Sequence, residues 1–186
     1  MDILEKNYQH RQSPETAAKI LSWINLNLSN THFPAEAKSE IITLLYVLVR
    51  ERLEIEQLAW LLDSKITNEI IQRAQFDSSF YNKCISTFVL CELVRTSPIL
   101  HLEILIIGYS QLIQIFTDAL SLMQNDVILD CLRALTRIIL AWPKRKDIWS
   151  MMQEAKLERE VEILANSPCH EISGLATSIL EEYFQK

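Results

Sequence analysis

The sequence predicts an all-α fold, and three observations lead to that prediction. Glycine and proline are scarce, with two and five residues in a chain of 186, whereas a β-protein needs turn residues at short, regular intervals. Leucine, glutamate and glutamine, which favour helices, recur throughout the chain. Apolar residues repeat at steps of three and four, the spacing of one helix face. The chain is therefore expected to bury its apolar faces by packing helices together.

Helix starts and breaks divide the first half of the chain into five helices, of which the fourth is short. Ser13 and Pro14 open the first helix, since serine caps helix N-termini and proline is favoured at the first helical position. The segment 30–34 (NTHFP) ends this helix, and Asp63 with Ser64 forms a later break. The predicted helices span 14–28, 35–52, 53–62, 67–74 and 80–95.

The longest apolar stretch, PILHLEILIIGYSQLIQIFTDALSLM over residues 98–123, has the length of a membrane span but not its composition. A spanning helix needs about 20 predominantly apolar residues with few charges. Polar residues recur here at steps of three and four and form one stripe on a helix. They are Glu103, Ser110, Gln111, Gln114, Thr117, Asp118 and Ser121. We expect a central, buried helix with one polar edge that faces water or a partner.

The rest of the chain is expected to form three more helices, over 127–141, 148–165 and 167–183. Trp142 and Pro143 end the first of these, and Asp147 can cap the second. The total is about eight helices, joined by short connections. Short connections make consecutive helices spatial neighbours.

Two segments near the C-terminus resemble each other at an offset of 41 residues. NDVILDCLRALTRIIL begins at Asn125, and NSPCHEISGLATSILE begins at Asn166. Weaker copies begin at Asn82 and Ser39, so the copies are spaced by 41–47 residues. A period of that size with two or three helices per unit is typical of HEAT and armadillo arrays.

Residues 80–186 resemble two and a half armadillo-type repeats. NDVILDCLRALTRII resembles a second helix of such a unit, IWSMMQEAKLEREVEILAN a third helix, and SPCHEISGLATSILEEYF a closing helix. Armadillo units often carry a glycine between their first two helices, and the chain departs from that pattern because Gly108 falls inside a predicted helix. The resemblance implies an α-α superhelix of about eight helices. A HEAT-like or irregular α-solenoid is the alternative.

No pattern in the sequence predicts catalysis, a bound metal or a cofactor. Cys84 and Cys91 share one helix face, but zinc needs two more ligands at matching spacing, so both are expected to be core residues. Cys169 and His170 are adjacent, point about 100° apart on a helix and cannot act as nucleophile and base. Two glycines are too few for a phosphate-binding loop. The chain is therefore expected not to be an enzyme.

An acidic row is the first candidate for partner binding. Glu154, Glu158 and Glu162 recur at four-residue steps in the predicted helix 148–165, where like charges repel by about 0.2–0.5 kcal/mol per pair. The armadillo resemblance implies that a third helix lines the concave groove, where this row would receive a basic or amphipathic segment. The polar edge of the stretch 98–123 adds a second candidate surface, formed by Gln111, Gln114 and Asp118. An ordinary solvated face is the alternative for the acidic row.

A basic region over residues 133–146 is the other charged feature. It contains Arg133 and Arg137 on one helix face, then Lys144, Arg145 and Lys146 in a turn. Such a region can bind an acidic peptide, a phosphate or a nucleic acid. The net charge of −6 opposes a protein that binds by neutralising phosphates. A solvated loop is the alternative interpretation.

The sequence as a whole predicts a protein-interaction module that binds a peptide or a partner domain, because stacked helices offer an extended surface. Residues 14–186 are expected to form one helical domain after a flexible N-terminus, residues 1–13. A HEAT-like nucleic-acid-binding module that uses residues 133–146 is the alternative, and homo- or hetero-oligomers stay open. Unpaired cysteines and a polar N-terminus predict the cytoplasm or nucleus, with no membrane partner.

Overall fold

The computed structural model describes residues 14–28, 30, 32–51, 53–121, 124–143 and 145–184, and these residues form helices and no strands. The helices are α1 (Pro14–Leu28), α2 (Ala35–Arg50), α3 (Ile55–Asp63), α4 (Lys65–Phe76), α5 (Phe80–Thr96), α6 (Ile99–Gly108), α7 (Leu112–Leu120), α8 (Asn125–Ala141), α9 (Lys146–Glu154), α10 (Leu157–Ala165) and α11 (His170–Ile179). A π-helical turn, Leu180–Phe184, extends α11. The all-α prediction is confirmed. The predicted N-terminal segment 1–13 and Lys144 lie outside the described residues.

The predicted count of about eight helices is wrong, because two predicted helices are each divided into two. The stretch 98–123 contains α6 and α7, and the segment 148–165 contains α9 and α10. In addition, the short helix predicted at 67–74 is a full helix of 12 residues, α4.

Nine of the described helices form three consecutive units of three: α3–α4–α5, α6–α7–α8 and α9–α10–α11. The long third helices of these units, together with α2, begin 45 residues apart, at Ala35, Phe80, Asn125 and His170. The segments NDVILDCLRALTRII and SPCHEISGLATSILEEYF are therefore both third helices. The prediction of NDVILDCLRALTRII as a second helix is wrong, and IWSMMQEAKLEREVEILAN supplies a first and a second helix instead of a third. SPCHEISGLATSILEEYF forms the last described helix of the array, in agreement with its prediction as a closing helix.

The long helices α2, α5, α8 and α11 pack side by side in that order. Residues in contact between α5 and α8 keep a nearly constant separation in the chain, so the two helices run parallel. Cys91 lies against Cys131, 40 residues away, while Arg137 bonds to Val94 and Ser97, at separations of 43 and 40. We call the outer surface of these four helices the ladder face.

The second helices, α1, α4, α7 and α10, form a layer behind the ladder. Each second helix packs on the long helix that follows it in the chain: α1 on α2, α4 on α5, α7 on α8 and α10 on α11. Apolar side chains meet between the layers and form one hydrophobic cluster that extends from Leu21 in α1 to Leu180 after α11. The two layers therefore leave two outer surfaces, the ladder face and the outer side of the second helices.

The bend between α6 and α7 is held by a contact with the preceding unit. The two helices are bent by 85°, and the Tyr109 hydroxyl in the bend donates to the Leu62 carbonyl oxygen at 3.1 Å. Gly108 ends α6 at this junction, which is where armadillo units often carry their glycine. The predicted departure from that pattern is therefore wrong.

Burial differs between the two parts of the apolar stretch 98–123. In α7 most side chains are buried, whereas α6 exposes Ile99, Leu100, Ile104 and Ile107. The prediction of one central, buried helix is therefore wrong for α6. Among the described residues, no single helix is long and apolar enough to cross a membrane, and only α6 and α7 taken together reach that length and composition.

The break between α9 and α10 brings two apolar stripes onto one side. Met152 and Leu157 are both buried, yet five residues on a continuous helix would place them about 140° apart. The chain resolves this conflict at Lys156, whose backbone is left-handed with a φ of 57°. No glycine or proline marks the position, so the sequence does not reveal the break.

Replacing Lys156 by glycine is expected to raise the free energy of unfolding by up to about 1 kcal/mol. Left-handed backbone is unfavourable for residues with a Cβ atom but not for glycine. Chemical denaturation of the two proteins measures the change. Glu162→Gly, an exposed position inside α10, is the matched control and should lose about 0.5–1 kcal/mol. Equal losses in both variants would contradict the left-handed conformation.

Candidate functional site

The three glutamates of the predicted acidic row do not share one helix. Glu154 ends α9, Glu158 and Glu162 belong to α10, and the break at Lys156 separates them. All three are exposed. Because α10 is a second helix in the layer behind the ladder, the prediction that this row lies on a third helix is wrong. Its role in partner binding stays a prediction.

The predicted polar edge at Gln111, Gln114 and Asp118 also lies in the layer behind the ladder. The Gln114 amide donates to the Asp118 carboxylate at 2.6 Å within α7. At the end of α7, the Ser121 hydroxyl donates to Glu160 of α10 at 3.1 Å. The end of α7 and Glu160 of α10 are therefore neighbours in the layer behind the ladder, away from the ladder face.

The described residues of the basic region are divided between two places, and Arg145 is directed toward α6. Its guanidinium donates to Glu103 at 2.7 Å and to Asp147 at 3.0 Å, and it stands 5.7 Å from the Trp142 ring centre. The hydrogen bond to Glu103, together with the Asp147 carboxylate, raises the pKa of Arg145 above its ordinary value. Lys146 is exposed at the start of α9.

Arg137 is anchored to the neighbouring helix of the ladder. Its Nε donates to the Val94 carbonyl at 2.9 Å, and its Nη2 donates to the Ser97 carbonyl at 2.6 Å. Both carbonyls lie at the C-terminal end of α5, where a helix has carbonyls without internal partners and attracts positive charge. Arg137 therefore stabilises the joint between α5 and α8, a role that its sequence position does not predict.

A chain of ion pairs crosses the ladder face from α5 to α11. Arg95 pairs with Glu92 of its own helix at 3.0 Å and with Asp130 of α8 at 3.7 Å. Arg133 pairs with Asp130 at 3.2 Å and with Glu171 of α11. Partly exposed pairs each add little stability, but the alternating charges favour one register between neighbouring helices.

A groove of about 1000 Å³ lies between the first half of α2 and the start of α5, near the N-terminal ends of these two ladder helices. We call it the acidic groove and define it by Glu36, Glu40, Leu44, Asp77, Tyr81 and Asn82. Glu36 and Glu40 are exposed, stand one helical turn apart and make no ion pair with a described residue. The groove therefore presents two negative charges to a partner.

Asp77 organises the far wall of the acidic groove. Its carboxylate accepts from the Ser79 backbone N–H at 2.9 Å, from the Arg73 guanidinium at 3.3 Å and from the Asn82 amide at 3.2 Å. Arg73 is also paired with Glu69 at 2.9 Å. Because Asn82 uses its amide nitrogen on Asp77, its amide oxygen is the atom left to accept a hydrogen bond from a partner.

An aromatic depression of about 600 Å³ lies on the other side of Glu36 and Glu40. Trp23, which is 48% exposed, and Phe33 form its walls. Aromatic rings therefore flank the two carboxylates on both sides, with Tyr81 in the acidic groove. An aromatic surface beside a carboxylate suits a cationic side chain with an aliphatic stem.

The sequence contains a signal for the acidic residues at the start of the ladder helices, but an offset of 41 residues does not reveal it. Glu36, Asp126 and Glu171 are each the second residue of a long helix, at spacings of 90 and 45 residues, and Tyr81 holds the same position in α5. Acidic residues in the first turn are also favoured by the helix dipole, so they attract little notice one by one. Only the correct period shows that the three residues occupy equivalent positions in the long helices.

Three buried cysteines lie at the joint between α5 and α8. The Cys91 and Cys131 sulfur atoms are 3.7 Å apart, and Cys84 is buried nearby. Burial, with the hydrogen bond between Cys91 and Cys131, raises the pKa of the Cys91 thiol well above its ordinary value, which suppresses its reactivity. Cys84 and Cys91 are buried, as predicted. Among the described residues, no group of three or more His, Cys, Asp or Glu side chains could hold a metal ion.

The architecture is similar to that of designed armadillo repeat proteins. One of them, solved in complex with the peptide (KR)4, superposes with a TM-score of 0.70 at 14% identity, over 90% of this chain and 68% of that one. A second gives a TM-score of 0.67 at 16% identity, with the same coverage. An engineered protein gives 0.69 at 12% identity, over 91% of this chain and 66% of that one.

The chain therefore has an armadillo/HEAT-like helical repeat fold, and that prediction is confirmed. No protein-family model and no curated protein matches the sequence. The chain spans about two thirds of the length of the three designed or engineered proteins described above. At these identities the similarity establishes the fold alone.

Proposed function

We propose that the chain is a non-enzymatic protein-interaction module of the cytoplasm or nucleus that holds an extended, basic segment of a partner in the acidic groove. The observation that carries the proposal is the pair Glu36 and Glu40, exposed and without an ion pair to a described residue, in a groove of about 1000 Å³. The designed repeat protein of similar fold that is in complex with a (KR)4 peptide supports it.

Recognition would combine charge, hydrocarbon contact and backbone hydrogen bonding. Glu36 and Glu40 accept from guanidinium or ammonium groups, which are strong donors to carboxylates. Leu44 and Tyr81 pack against the aliphatic stems of those side chains. The Asn82 amide oxygen accepts a backbone N–H of the segment. The net charge of −6 also raises the rate at which a basic segment associates.

Nucleic-acid binding through residues 133–146, the alternative, has less support. Arg133 and Arg145 are paired with carboxylates, and Arg137 with backbone carbonyls. A run of phosphates would lie against Asp130 and Glu171, the carboxylates that pair with Arg133, and could use only the guanidinium donors that those pairs leave over. Electrostatic binding of nucleic acid depends on many phosphate contacts along the backbone, and the neighbouring carboxylates oppose them.

The double variant Glu36→Gln/Glu40→Gln is expected to weaken binding of fluorescein-labelled (KR)4 by about 5- to 30-fold, since two exposed ion pairs contribute roughly 0.5–1 kcal/mol each. Fluorescence anisotropy against the full chain measures the affinity. Wild-type binding should weaken as salt is added, because these contacts are screened. Labelled (DE)4 should not bind.

The matched control is Glu158→Gln/Glu162→Gln, which removes another exposed pair of glutamates one turn apart, on α10. It should leave (KR)4 binding unchanged. Loss of binding in this control but not in the groove variant would place the site on the outer surface of α10 instead. A wild-type chain that binds oligo-dT more tightly than (KR)4 would overturn the proposal in favour of nucleic acid.

A further inference from the structure

A depression of about 460 Å³ between α5, α6 and α8 combines positive charge with an apolar floor. We call it the arginine pocket and define it by Arg95, Ile99, Leu102, Arg133, Arg137 and Leu140. It lies at the C-terminal end of α5, whereas the acidic groove lies at the N-terminal end of the same helix. The two sites therefore have opposite charge and separate positions.

The hydrocarbon of the arginine pocket is only partly covered by the protein. Leu102 is fully buried and forms the base, while Ile99 and Leu140 are 59% and 60% exposed. These three aliphatic side chains come from α6 and α8, which flank the depression. Adjacent exposed aliphatic groups around a depression favour a partner side chain that covers them.

The guanidinium groups of the pocket keep donors for a partner. Arg95 uses Nη1 for its ion pairs, Arg133 uses Nη1 and Nη2, and Arg137 uses Nε and Nη2. A guanidinium carries five N–H bonds, so each group retains donors beyond these contacts. Because the ion pairs and the Arg137 anchor hold the groups in place, a carboxylate would meet positioned donors at a reduced entropic cost.

We propose that the arginine pocket binds an acidic, apolar segment of a partner protein. A side chain of leucine or isoleucine size packs on Ile99, Leu102 and Leu140, and a neighbouring carboxylate accepts from Arg95 and Arg133. The apolar floor favours a protein segment over a nucleic acid, whose backbone brings phosphates and no aliphatic group. The inference goes beyond the proposed function, because it concerns another site and the opposite charge.

The first test measures the anisotropy of fluorescein-labelled (EL)4 with the full chain. The peptides (SL)4 and (ES)4, which remove the charge or the aliphatic group, and oligo-dT are compared. The expected result is an affinity for (EL)4 at least about tenfold above each of the others, equal to about 1.4 kcal/mol. Equal binding of (SL)4 or (ES)4 would overturn the proposal, and tighter binding of oligo-dT would assign the pocket to nucleic acid.

The second test uses variants with matched controls. Leu140→Ser and Arg95→Gln should each weaken (EL)4 binding by about 3- to 10-fold while (KR)4 binding stays unchanged. The controls are Leu26→Ser, a leucine of α1 that is 71% exposed, and Arg159→Gln, an exposed arginine of α10. Thermal unfolding of each variant confirms the fold. If Leu26→Ser and Leu140→Ser weaken (EL)4 equally, the pocket is not the site.

Discussion

Phe116→Ala is expected to lower the free energy of unfolding by about 3–5 kcal/mol, the usual cost of emptying a buried phenylalanine position. Phe116 in α7 is fully buried among the residues between the two helix layers. For a chain of this size, each kcal/mol corresponds to about 2–4 °C in Tm. Urea denaturation followed by far-UV circular dichroism measures the loss.

Phe76→Ala is the matched control, since Phe76 ends α4 and is 71% exposed. Its effect should stay within about 0.5 kcal/mol, as for most surface substitutions. The pair tests whether the second half of the apolar stretch 98–123 belongs to the interior of this fold. Similar losses in both variants would show that Phe116 is not packed as the structure describes.

Arg137→Ala is expected to cost about 2–4 kcal/mol of unfolding free energy. The substitution removes two charge-assisted hydrogen bonds, each worth about 1.5–3 kcal/mol when shielded from water, and the partial exposure of Arg137 reduces the sum. The Val94 and Ser97 carbonyls at the end of α5 then lose their side-chain partner. Denaturant titration gives the total loss, and faster hydrogen exchange in the last turn of α5 gives its location.

Two further variants distinguish the effect of the two Arg137 hydrogen bonds from the effect of its positive charge. Arg137→Lys keeps the positive charge but cannot reach both carbonyls with one planar group, so an intermediate loss is expected. Arg159→Ala removes an exposed arginine of α10 and should change stability by less than about 0.5 kcal/mol. A loss in Arg137→Ala no larger than in Arg159→Ala would contradict a structural role for Arg137.

Helix ends that depend on neighbouring residues were predictable. Pro14 opens α1, and α5 ends at Thr96 because Pro98 keeps the preceding Ser97 out of the helical region. The Ser79 hydroxyl accepts from the Asn82 N–H at 3.4 Å and caps α5, as serine commonly does at a helix N-terminus. Caps and proline breaks act within a few residues, and a single sequence contains all the information they need.

The bends inside helices were not predictable from periodicity. Ile106 and Ile113 on either side of the first bend are both buried, and their separation is close to two full helical turns, so the apolar pattern continues without a sign of the break. The bend depends instead on Tyr109 reaching Leu62, 47 residues away. A contact of that range is absent from the local sequence.

The repeat was recognised in the wrong register for a related reason. The alignment of Asn125 with Asn166 uses an offset of 41, whereas α8 and α11 begin 45 residues apart. The difference of four residues is close to one helical turn, so the apolar faces of the two helices match in both registers. Only the packing of α8 between α5 and α11 distinguishes them.

By itself, the sequence determined the helical composition, most helix starts and a repeat of more than 40 residues, because these depend on propensity, capping and periodicity along one chain. The tertiary structure decided which helices form the ladder, which arginines are already paired and which carboxylates stay exposed. Those properties depend on contacts between residues about 40 positions apart. In a stack of parallel helices, a side chain contacts residues of the next unit that lie about 40 positions further along the chain. The sequence of one unit does not specify where its neighbour packs.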